Sequence, residues 1–391
     1  MAYFSFDTNT RLSSLFEKDL DVKRLLEGLS IEAGFNITPK DTLIIFDEIQ
    51  ENPLAITSLK YFNENAKEYD IIAAGSLLGV ANHKGTGFPV GKVEYLNLFP
   101  LSFEEFLHAL KETKLLEIII NNDFKMQQIF KDKLITLLRK YCYVGGMPKA
   151  ILSFIDNQDY NLVRTIQKNI LNDYENDFSK HIPKEQIERT RLLWNAIPSQ
   201  LVKENKKCIY GKIKEGARAK DFEIALNWLI DASLVHKVSR VSIPNMPLKA
   251  FEDVSSYKLF LLDIGLLSAM NELDPRSLLE NDKLFNDYNG ALTEQYVLQE
   301  FKTLNSFPIF YWSNNRAKID FLIQCKNNII PIEVKATINL QAKSLKSYRE
   351  KFSPKISIRT SLADYKENNG LINLPLYDIE NLEKIILNVT H

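Results

Sequence analysis

The sequence predicts a multidomain α/β protein, and three observations support this fold class. The first hundred residues alternate continuous apolar runs with helical segments, which is typical of a parallel sheet covered on both faces. Residues 103–180 have mostly helical spacing, and a segment beginning near residue 289 combines helices with strand-like runs. A length of 391 residues is enough for two or three domains with separate cores.

The elements of the N-terminal part follow in an alternating order. We expect strands at residues 3–6, 42–46, 71–74 and 92–98, and helices at residues 12–29 and 56–65. The first three of these runs are short and apolar and contain no charged residue, unlike the one-sided alternation of a half-exposed sheet. They therefore predict a buried parallel sheet.

The middle of the chain is predicted to be helical and then to form a winged helix. Ser102 and Glu105 fit a capping box at the start of the helical region, and the motif GGMP at residues 145–148 interrupts it. The winged-helix order of helix, short strand, helix and strand is expected at residues 191–202, 208–210, 220–232 and 234–241. The last segment is expected to have a helix at 291–304, strands at 309–312, 319–324 and 329–334, and a basic helix at 340–352.

Composition excludes several classes of protein. The chain has 49 Lys and Arg against 50 Asp and Glu, so a uniformly basic nucleic-acid binder is excluded, although a local basic patch is not. No apolar run reaches the ~18 residues that span a bilayer, and no secretory signal opens the chain. The three cysteines Cys142, Cys208 and Cys325 are too far apart for a disulfide framework or metal knuckle. We expect a cytoplasmic protein without a membrane partner.

The first chemical motif is an acidic pair at the end of a predicted strand. Asp47 and Glu48 follow the run at 42–46, where an open parallel sheet presents its ligand-binding edge. In nucleotide hydrolases an Asp here helps to hold Mg²⁺, and the adjacent Glu polarises the attacking water. Ser76 ends the next strand and is placed to sense a γ-phosphate. The alternative is that the acidic pair only begins a solvated loop.

A phosphate-binding loop of the form G-x-x-x-x-G-K-[ST] is missing from the sequence before Asp47. The nearest candidate ends at Lys92, but Thr86 stands at the first glycine position and Val93 replaces the hydroxyl residue. A strand rather than a helix is also expected to follow. Lys92 is therefore interpreted as a surface lysine.

Several linked motifs resemble those of prokaryotic AAA-family ATPases that carry a C-terminal domain of unknown function 4143. These motifs are LIIFDEIQ (43–50), AGSLLG (74–79), FPVGKV (88–93), FPLSFEEF (99–106) and GGMP (145–148). The resemblance covers essentially the whole chain and implies an incomplete AAA-type sheet. Family members begin with a further strand and a Walker A loop ahead of the strand at 3–6. We therefore expect either a start upstream of Met1 or a truncated product, and the less favoured alternative is an ATP-independent member.

The resemblance also implies roles and ligands. In an intact member Asp47 would support Mg²⁺, Glu48 would activate water and Ser76 would sense phosphate, with ATP and Mg²⁺ as cofactors. Nucleotide binding is expected to be impaired in this chain. Family relatives often assemble, so self-association is an expected partner interaction.

A basic stretch coincides with the predicted winged helix. Residues 180–220 contain 11 Lys and Arg against 4 Glu. Such an excess can follow a nucleic-acid backbone, because phosphate binding is mainly electrostatic. The candidate contacts are Lys206, Lys207, Lys212, Lys214 and Arg218. The alternative is a solvated face or a protein-docking module.

A second chemical constellation lies near the C-terminus. Asp320 and Glu333 fall on neighbouring predicted strands, and Glu333 and Lys335 share one face of a strand. Glu294, on the preceding helix, adds a third carboxylate. The order resembles the PD-(D/E)xK nuclease fold, in which Asp320 and Glu333 would hold Mg²⁺ for phosphodiester cleavage. The basic helix that follows supplies Lys343 and Lys346 as nucleic-acid contacts, and the alternative is a retained fold without catalysis.

These observations together predict four regions and leave three functions open. The regions are a truncated AAA ATPase core at 1–108, a helical lid at 109–182, a winged helix at 183–245, and a linker with an α/β nuclease-like domain at 246–391. The first function is an ATPase whose nucleotide state controls a DNA-binding or nuclease-like C-terminal domain. The second is a Mg²⁺-dependent nuclease that works without nucleotide. The third is a non-catalytic module that binds nucleic acid or protein.

Overall fold

A computed structural model describes residues 1–75, 89–202, 207–279, 286–338 and 342–389. It is a mixed α/β protein with two compact units. One unit comprises residues 1–98 and 227–234, and the other comprises residues 99–226 and 235–391. The division into four regions stays a prediction. Across the described ranges, no helix is long and apolar enough to cross a membrane.

The N-terminal unit contains a parallel sheet with the strand order β1-β2-β3. Its strands are β1 (Ala2–Ser5), β2 (Leu43–Asp47) and β3 (Asp70–Ala73), and its helices are α1 (Thr10–Lys18), α2 (Val22–Ala33) and α3 (Pro53–Asn65). The single helix predicted at 12–29 is wrong, because α1 and α2 are separate. Asp21 ends the gap between them and caps α2 by accepting a hydrogen bond from the Arg24 backbone N–H.

The core of this sheet is built from aromatic side chains on both strands and helices. Phe46 of β2 is fully buried and packs against Phe6, Phe16 and Phe62 at ring-centroid distances of 5.7, 5.9 and 6.3 Å. These side chains bury one face of the sheet. Tyr3 and Ile72 lie on the other face and are 56% and 51% exposed, so the prediction that both faces are covered is wrong for the described residues. The strands predicted at 3–6, 42–46 and 71–74 are confirmed by the pairing of β1, β2 and β3.

The fourth predicted strand, at residues 92–98, is wrong. The described part of this segment has no strand, and Leu96 and Leu98 are almost completely exposed. Gly91 has a φ of 71°, which turns the chain just before this segment. A strand needs a partner with which to exchange backbone hydrogen bonds, and an apolar run alone does not supply one.

The second unit begins with the predicted helical region. Its helices are α4 (Phe103–Ala109), α5 (Thr113–Ile120), α6 (Phe124–Ile129), α7 (Lys131–Val144), α8 (Pro148–Asn157), α9 (Tyr160–His181) and α10 (Lys184–Leu201). The capping box is present: the Ser102 hydroxyl accepts from the Glu105 N–H, and Glu105 accepts from the Ser102 N–H. Gly145 ends α7 with a φ of 74°, where the predicted interruption lies.

The winged-helix prediction is not confirmed in detail. The helix α11 (Ala219–Asp231) and the strand β4 (Val235–Val241) are present, but the strand expected at 208–210 is wrong. Tyr210 instead begins a short 3-10 helix. The β4 strand pairs with β5 (Glu252–Leu261) and with β6 (Ile309–Ser313), so it belongs to a large sheet rather than to a small wing.

This large mixed sheet has eight strands in the order β10-β11-β9-β8-β7-β6-β4-β5. Its other strands are β7 (Lys318–Cys325), β8 (Asn328–Val334), β9 (Ser357–Ser361), β10 (Lys366–Asn368) and β11 (Leu371–Pro375). The remaining helices are α12 (Ile264–Met270), α13 (Pro275–Leu279), α14 (Asn286–Leu304), α15 (Lys343–Phe352) and α16 (Leu382–Val389). The antiparallel pair β7 and β8 places the second group of predicted site residues side by side.

Candidate functional sites

The acidic pair lies at the carboxyl edge of the parallel sheet. Asp47 is the last residue of β2 and pairs in register with Ser5 of β1. Glu48 follows in the left-handed region, with a φ of 50°, and starts a 3-10 turn over Ile49–Glu51. The Ile49 N–H donates to the Ala74 carbonyl at 3.1 Å, which holds the turn beside the end of β3. Asp47 and Glu48 therefore lie at a turn that is held by a backbone hydrogen bond, and both side chains are partly exposed.

Neighbouring polar side chains orient the two carboxylates. The Tyr3 hydroxyl donates to Asp47 Oδ2, and the Gln50 amide donates to Glu48 Oε2. The carboxylate of Asp47 raises the pKa of Tyr3 above its ordinary value, because it accepts the phenolic proton in a hydrogen bond. The Gln50 amide oxygen is buried and has no hydrogen-bond partner within the described ranges.

Carboxylates such as those of Asp47 and Glu48 are the type of oxygen donor that Mg²⁺ prefers. Magnesium in nucleotide sites is held by one or two carboxylates, with water and phosphate oxygens completing its shell. Asp47 and Glu48 supply carboxylates, and the buried Gln50 oxygen lacks a partner within the parts described. Ser76, the predicted phosphate sensor, lies outside the described residues. Lys92 Nζ forms an ion pair with Glu64 Oε1 at 3.3 Å, which agrees with the interpretation of Lys92 as a surface lysine.

The second group of predicted residues is brought together within the large sheet and α14. Glu294, Asp320 and Glu333 are all buried, with exposed fractions of 4%, 7% and 4%. The backbone N–H of Val334 donates to Asp320 Oδ2 at 2.9 Å, which links the two carboxylate-bearing strands. Lys335 lies 2.8 Å from Glu333 Oε1. The sequence pattern therefore predicted a real cluster.

Two lysines that the sequence pattern did not reveal complete this cluster. Lys318 Nζ lies 3.3 Å from Glu294 Oε1 and 3.1 Å from Asp320 Oδ1. Lys258 is fully buried, and its Nζ lies 3.1 Å from Glu294 Oε2. Burial alone lowers the pKa of Lys318, but the carboxylates of Glu294 and Asp320 outweigh burial and raise that pKa above its ordinary value. Lys318 and Asp320 are two residues apart and therefore share one face of the strand, and this spacing is the sequence signal that could have identified Lys318.

The carboxylate cluster does not fit a divalent metal. Among the described residues, no group of three or more His, Cys, Asp or Glu side chains is placed to hold an ion. The metal role predicted for Asp320 and Glu333 stays a prediction. Ammonium groups already neutralise the carboxylates, and burial raises the pKa of Glu333 against the opposing effect of Lys335.

The predicted basic contacts fall in two places. In the segment that joins α10 to α11, Lys212, Lys214 and Arg218 are exposed, whereas Lys207 donates to the Ser256 hydroxyl at 3.0 Å. Lys206 lies outside the described residues. Within residues 207–218 the positive charge therefore lies on a 3-10 turn and irregular chain rather than on a recognition helix.

The basic helix α15 has the amphipathic form that the sequence predicted. Leu345 and Tyr348 face the core, and Lys343 and Lys346 are exposed. A groove of about 700 Å³ lies along this helix. Its charged lining residues are Lys346, Arg349, Arg359 and Glu350.

Comparisons with known proteins divide the chain into three matched segments. Residues 1–107 match the AAA domain family, residues 135–277 match the domain of unknown function DUF8612, and residues 289–379 match the domain of unknown function DUF4143. A Walker-type ATPase of Pyrococcus abyssi is 12% identical over 64% of this chain and 67% of its own, with a TM-score of 0.38. The protein VC1899 from Vibrio cholerae is 10% identical over 97% and 81%, with a TM-score of 0.21. The comparison with curated proteins found no match.

Proposed function

This chain matches the AAA domain family near its N-terminus and DUF4143 near its C-terminus, the combination predicted from its motifs. From this premise we propose that it is a P-loop ATPase-like protein. In the proposed nucleotide site, the tip of β2 holds the metal ion and activates water. One observation carries the proposal: Asp47 and Glu48 stand together at the carboxyl edge of a parallel sheet, beside the end of β3. Open α/β sheets bind ligands at this edge.

Each residue at the strand tip has a distinct role in the proposed site. Asp47 would hold Mg²⁺, which supplies charge neutralisation for phosphate oxygens. Tyr3 fixes the orientation of the Asp47 carboxylate through its hydrogen bond. Glu48 accepts a proton from the attacking water and orients it, while Gln50 holds the Glu48 side chain. The left-handed backbone at Glu48 turns the chain sharply at the sheet edge.

The strand tip supplies only part of a nucleotide site. The sequence has no G-x-x-x-x-G-K-[ST] loop, and in P-loop proteins the backbone amides and lysine of that loop bind the phosphates. The strand tip by itself contributes metal coordination and water activation. We therefore expect nucleotide binding at the strand tip to depend strongly on Mg²⁺. In this proposal the nucleotide state controls the activity of the C-terminal part of the chain.

Thermal denaturation with millimolar ATP, with and without Mg²⁺, tests this proposal. We expect Mg²⁺-dependent stabilisation that is abolished in Asp47→Asn and retained in Glu48→Gln, while Glu48→Gln lowers any ATP hydrolysis. Asp70→Asn is the matched control, because Asp70 is an exposed carboxylate at the opposite end of β3. No nucleotide-dependent shift in the native chain, or an equal shift in Asp47→Asn, contradicts the proposal.

A second proposed function is binding of nucleic-acid phosphates by α15. The observation that favours it is the groove along this helix, into which Lys346, Arg349 and Arg359 bring three positive charges against the one negative charge of Glu350. Phosphate backbones are bound mainly through such electrostatic contacts. Fluorescence anisotropy with a labelled DNA duplex at low salt tests this function, and the absence of binding contradicts it.

A further inference from the structure

We infer that the buried carboxylate cluster of Glu294, Asp320 and Glu333 is a closed ion-pair network in which Lys318 takes the position of a divalent cation. This cluster therefore does not carry out metal-dependent phosphodiester cleavage. This inference concerns the large sheet only, so it stands or falls independently of the nucleotide site at Asp47.

Each of the six carboxylate oxygens in this cluster has a nitrogen partner. The two oxygens of Glu294 face Lys318 at 3.3 Å and Lys258 at 3.1 Å. Those of Asp320 face Lys318 at 3.1 Å and the Val334 N–H at 2.9 Å. A metal ion would have to displace these partners before it could coordinate the oxygens at the roughly 2.0–2.6 Å typical of Mg²⁺ and Ca²⁺.

The third carboxylate is occupied in the same way. Glu333 Oε1 lies 2.8 Å from Lys335 Nζ, and Glu333 Oε2 accepts a hydrogen bond from the Leu345 N–H at 3.2 Å. This last bond ties Glu333 to the start of α15. Glu333 therefore connects strand and helix, which is a structural use of the carboxylate.

The charges also balance without a metal. Glu294, Asp320 and Glu333 carry three negative charges, and Lys258, Lys318 and Lys335 carry three positive charges. Buried charges are tolerated when each is paired and hydrogen-bonded. Adding a divalent cation to this neutral group would bring two uncompensated charges into a buried position, which is unfavourable.

The two additional lysines differ in how firmly they are held. Lys258 is fully buried, its Nζ also donates to the Asp320 carbonyl at 3.3 Å, and the ammonium lies 4.9 Å from the ring centroid of Tyr311. Lys318 has a side chain that is 24% exposed and bridges two carboxylates. Lys318 is therefore the residue whose removal opens a position for a cation.

Titration with Mn²⁺, followed by electron paramagnetic resonance, tests the inference on the full chain carrying Asp47→Asn, which removes the other proposed metal ligand. We expect no site that depends on Asp320 in this chain. Adding Lys318→Met should raise the Mn²⁺ affinity by about tenfold or more, because two carboxylate oxygens are then without their cation. Lys318→Arg is the matched control and should leave the Mn²⁺ affinity unchanged, because it keeps the positive charge.

Three results would overturn the inference. One is Mn²⁺ binding by the chain with Asp47→Asn that is abolished by Asp320→Asn. The second is an unchanged Mn²⁺ affinity in folded Lys318→Met protein. The third comes from plasmid cleavage. This test uses supercoiled plasmid and the native chain, so it does not depend on the folding of Lys318→Met. We expect no cleavage with Mg²⁺ or Mn²⁺. Cleavage that is abolished by Asp320→Asn would contradict the inference.

Discussion

Gly146 donates its backbone N–H to Asp263 Oδ2 at 2.6 Å, and this bond joins the turn after α7 to the start of α12. Asp263 Oδ1 in turn accepts from the Leu266 N–H at 2.9 Å and caps α12. The Gly146 carbonyl accepts from the Leu101 N–H at 2.8 Å. The GGMP motif therefore serves the packing of the second unit.

Gly145→Ala is predicted to destabilise the protein. A Cβ at this position would lie 2.4 Å from Asp263 Oδ1 and 2.7 Å from the Gly265 nitrogen, and the φ of 74° disfavours any L side chain. We expect a decrease of roughly 2–4 kcal/mol in the free energy of unfolding, measured by urea denaturation. Gly211→Ala is the control, since a Cβ there meets nothing within 4 Å, and should change stability by less than about 0.5 kcal/mol. Equal effects of the two substitutions would disprove this account.

Buried carboxyl groups close to the start of α4, contributed by several elements, predict that the free energy of unfolding depends on pH. The Phe103 N–H donates to Glu300 Oε2 at 3.2 Å, and the Glu104 N–H donates to Glu380 Oε1 at 2.9 Å. Burial raises the pKa of Glu300 well above its ordinary value, and the nearby Glu380 raises it further. Burial also raises the pKa of Glu104 to about 7 and that of Asp378 to about 7.

The sign follows from proton uptake on folding. Because these folded-state pKa values are raised, these carboxyl groups bind more protons in the folded protein than in the unfolded chain between about pH 4.3 and 7. Burial lowers the pKa of His236 to about 3, so this single group opposes them below about pH 6.5. Stability is therefore highest at the acidic end of this range and falls as pH rises, by about 1.4 kcal/mol per pH unit for each such proton. Glu300→Gln should weaken this dependence and raise stability at pH 8 relative to the native chain.

Urea denaturation at pH 5 and pH 8 measures this effect. The control is Glu117→Gln, because Glu117 is exposed and paired with Lys114 at 2.9 Å. It should leave the pH dependence unchanged. A native chain whose stability rises steadily from pH 5 to pH 8, or a Glu300→Gln variant with an unchanged dependence, refutes the prediction.

The edge strand β3 predicts concentration-dependent self-association. Ile72 of β3 is 51% exposed, and among the described residues β3 lies at the edge of a purely parallel sheet. Such edges offer unpaired backbone groups. Ile72→Lys should reduce association in sedimentation velocity, while changing stability by about 0.5 kcal/mol or less. Ile31→Lys is the control, because Ile31 is 81% exposed on α2. If both substitutions reduce association equally, the edge is not responsible.

The basic face of α15 predicts salt-dependent binding of nucleic acid. Lys343→Ala and Lys346→Ala should each weaken DNA binding, and each should reduce the slope of log affinity against log salt by about 0.9 for each phosphate that the lysine neutralises. Lys366→Ala is the control, since Lys366 is an exposed lysine on the edge strand β10. Anisotropy titrations at several salt concentrations measure these slopes, and a Lys366→Ala variant that behaves like Lys346→Ala would argue against a specific basic face.

Local pattern predicted most elements, but it was wrong where an element needed a distant partner. The run at 42–46 and the helix at 56–65 were identified because their periodicity and flanking residues are local signals. The segment at 92–98 has four apolar residues in seven, yet it has no strand in its described residues, because apolar residues alone do not provide a pairing partner. The strand at 208–210 was wrong for a related reason: the Cys208 N–H donates to the Tyr257 carbonyl, and the chain then turns into a 3-10 helix.

The sequence alone determined the chemical content of both candidate sites. One site has two carboxylates directly after an apolar strand, and the other has Asp320 and Glu333 on consecutive strands. Strand geometry brings residues with these spacings close together. Only the tertiary structure decided what surrounds those carboxylates. Lys258 lies 36 residues before Glu294 in the chain, and it reaches that carboxylate because β5 and α14 pack together. Charge balance within a buried cluster is a property of neighbours in space, and sequence separation does not reveal it.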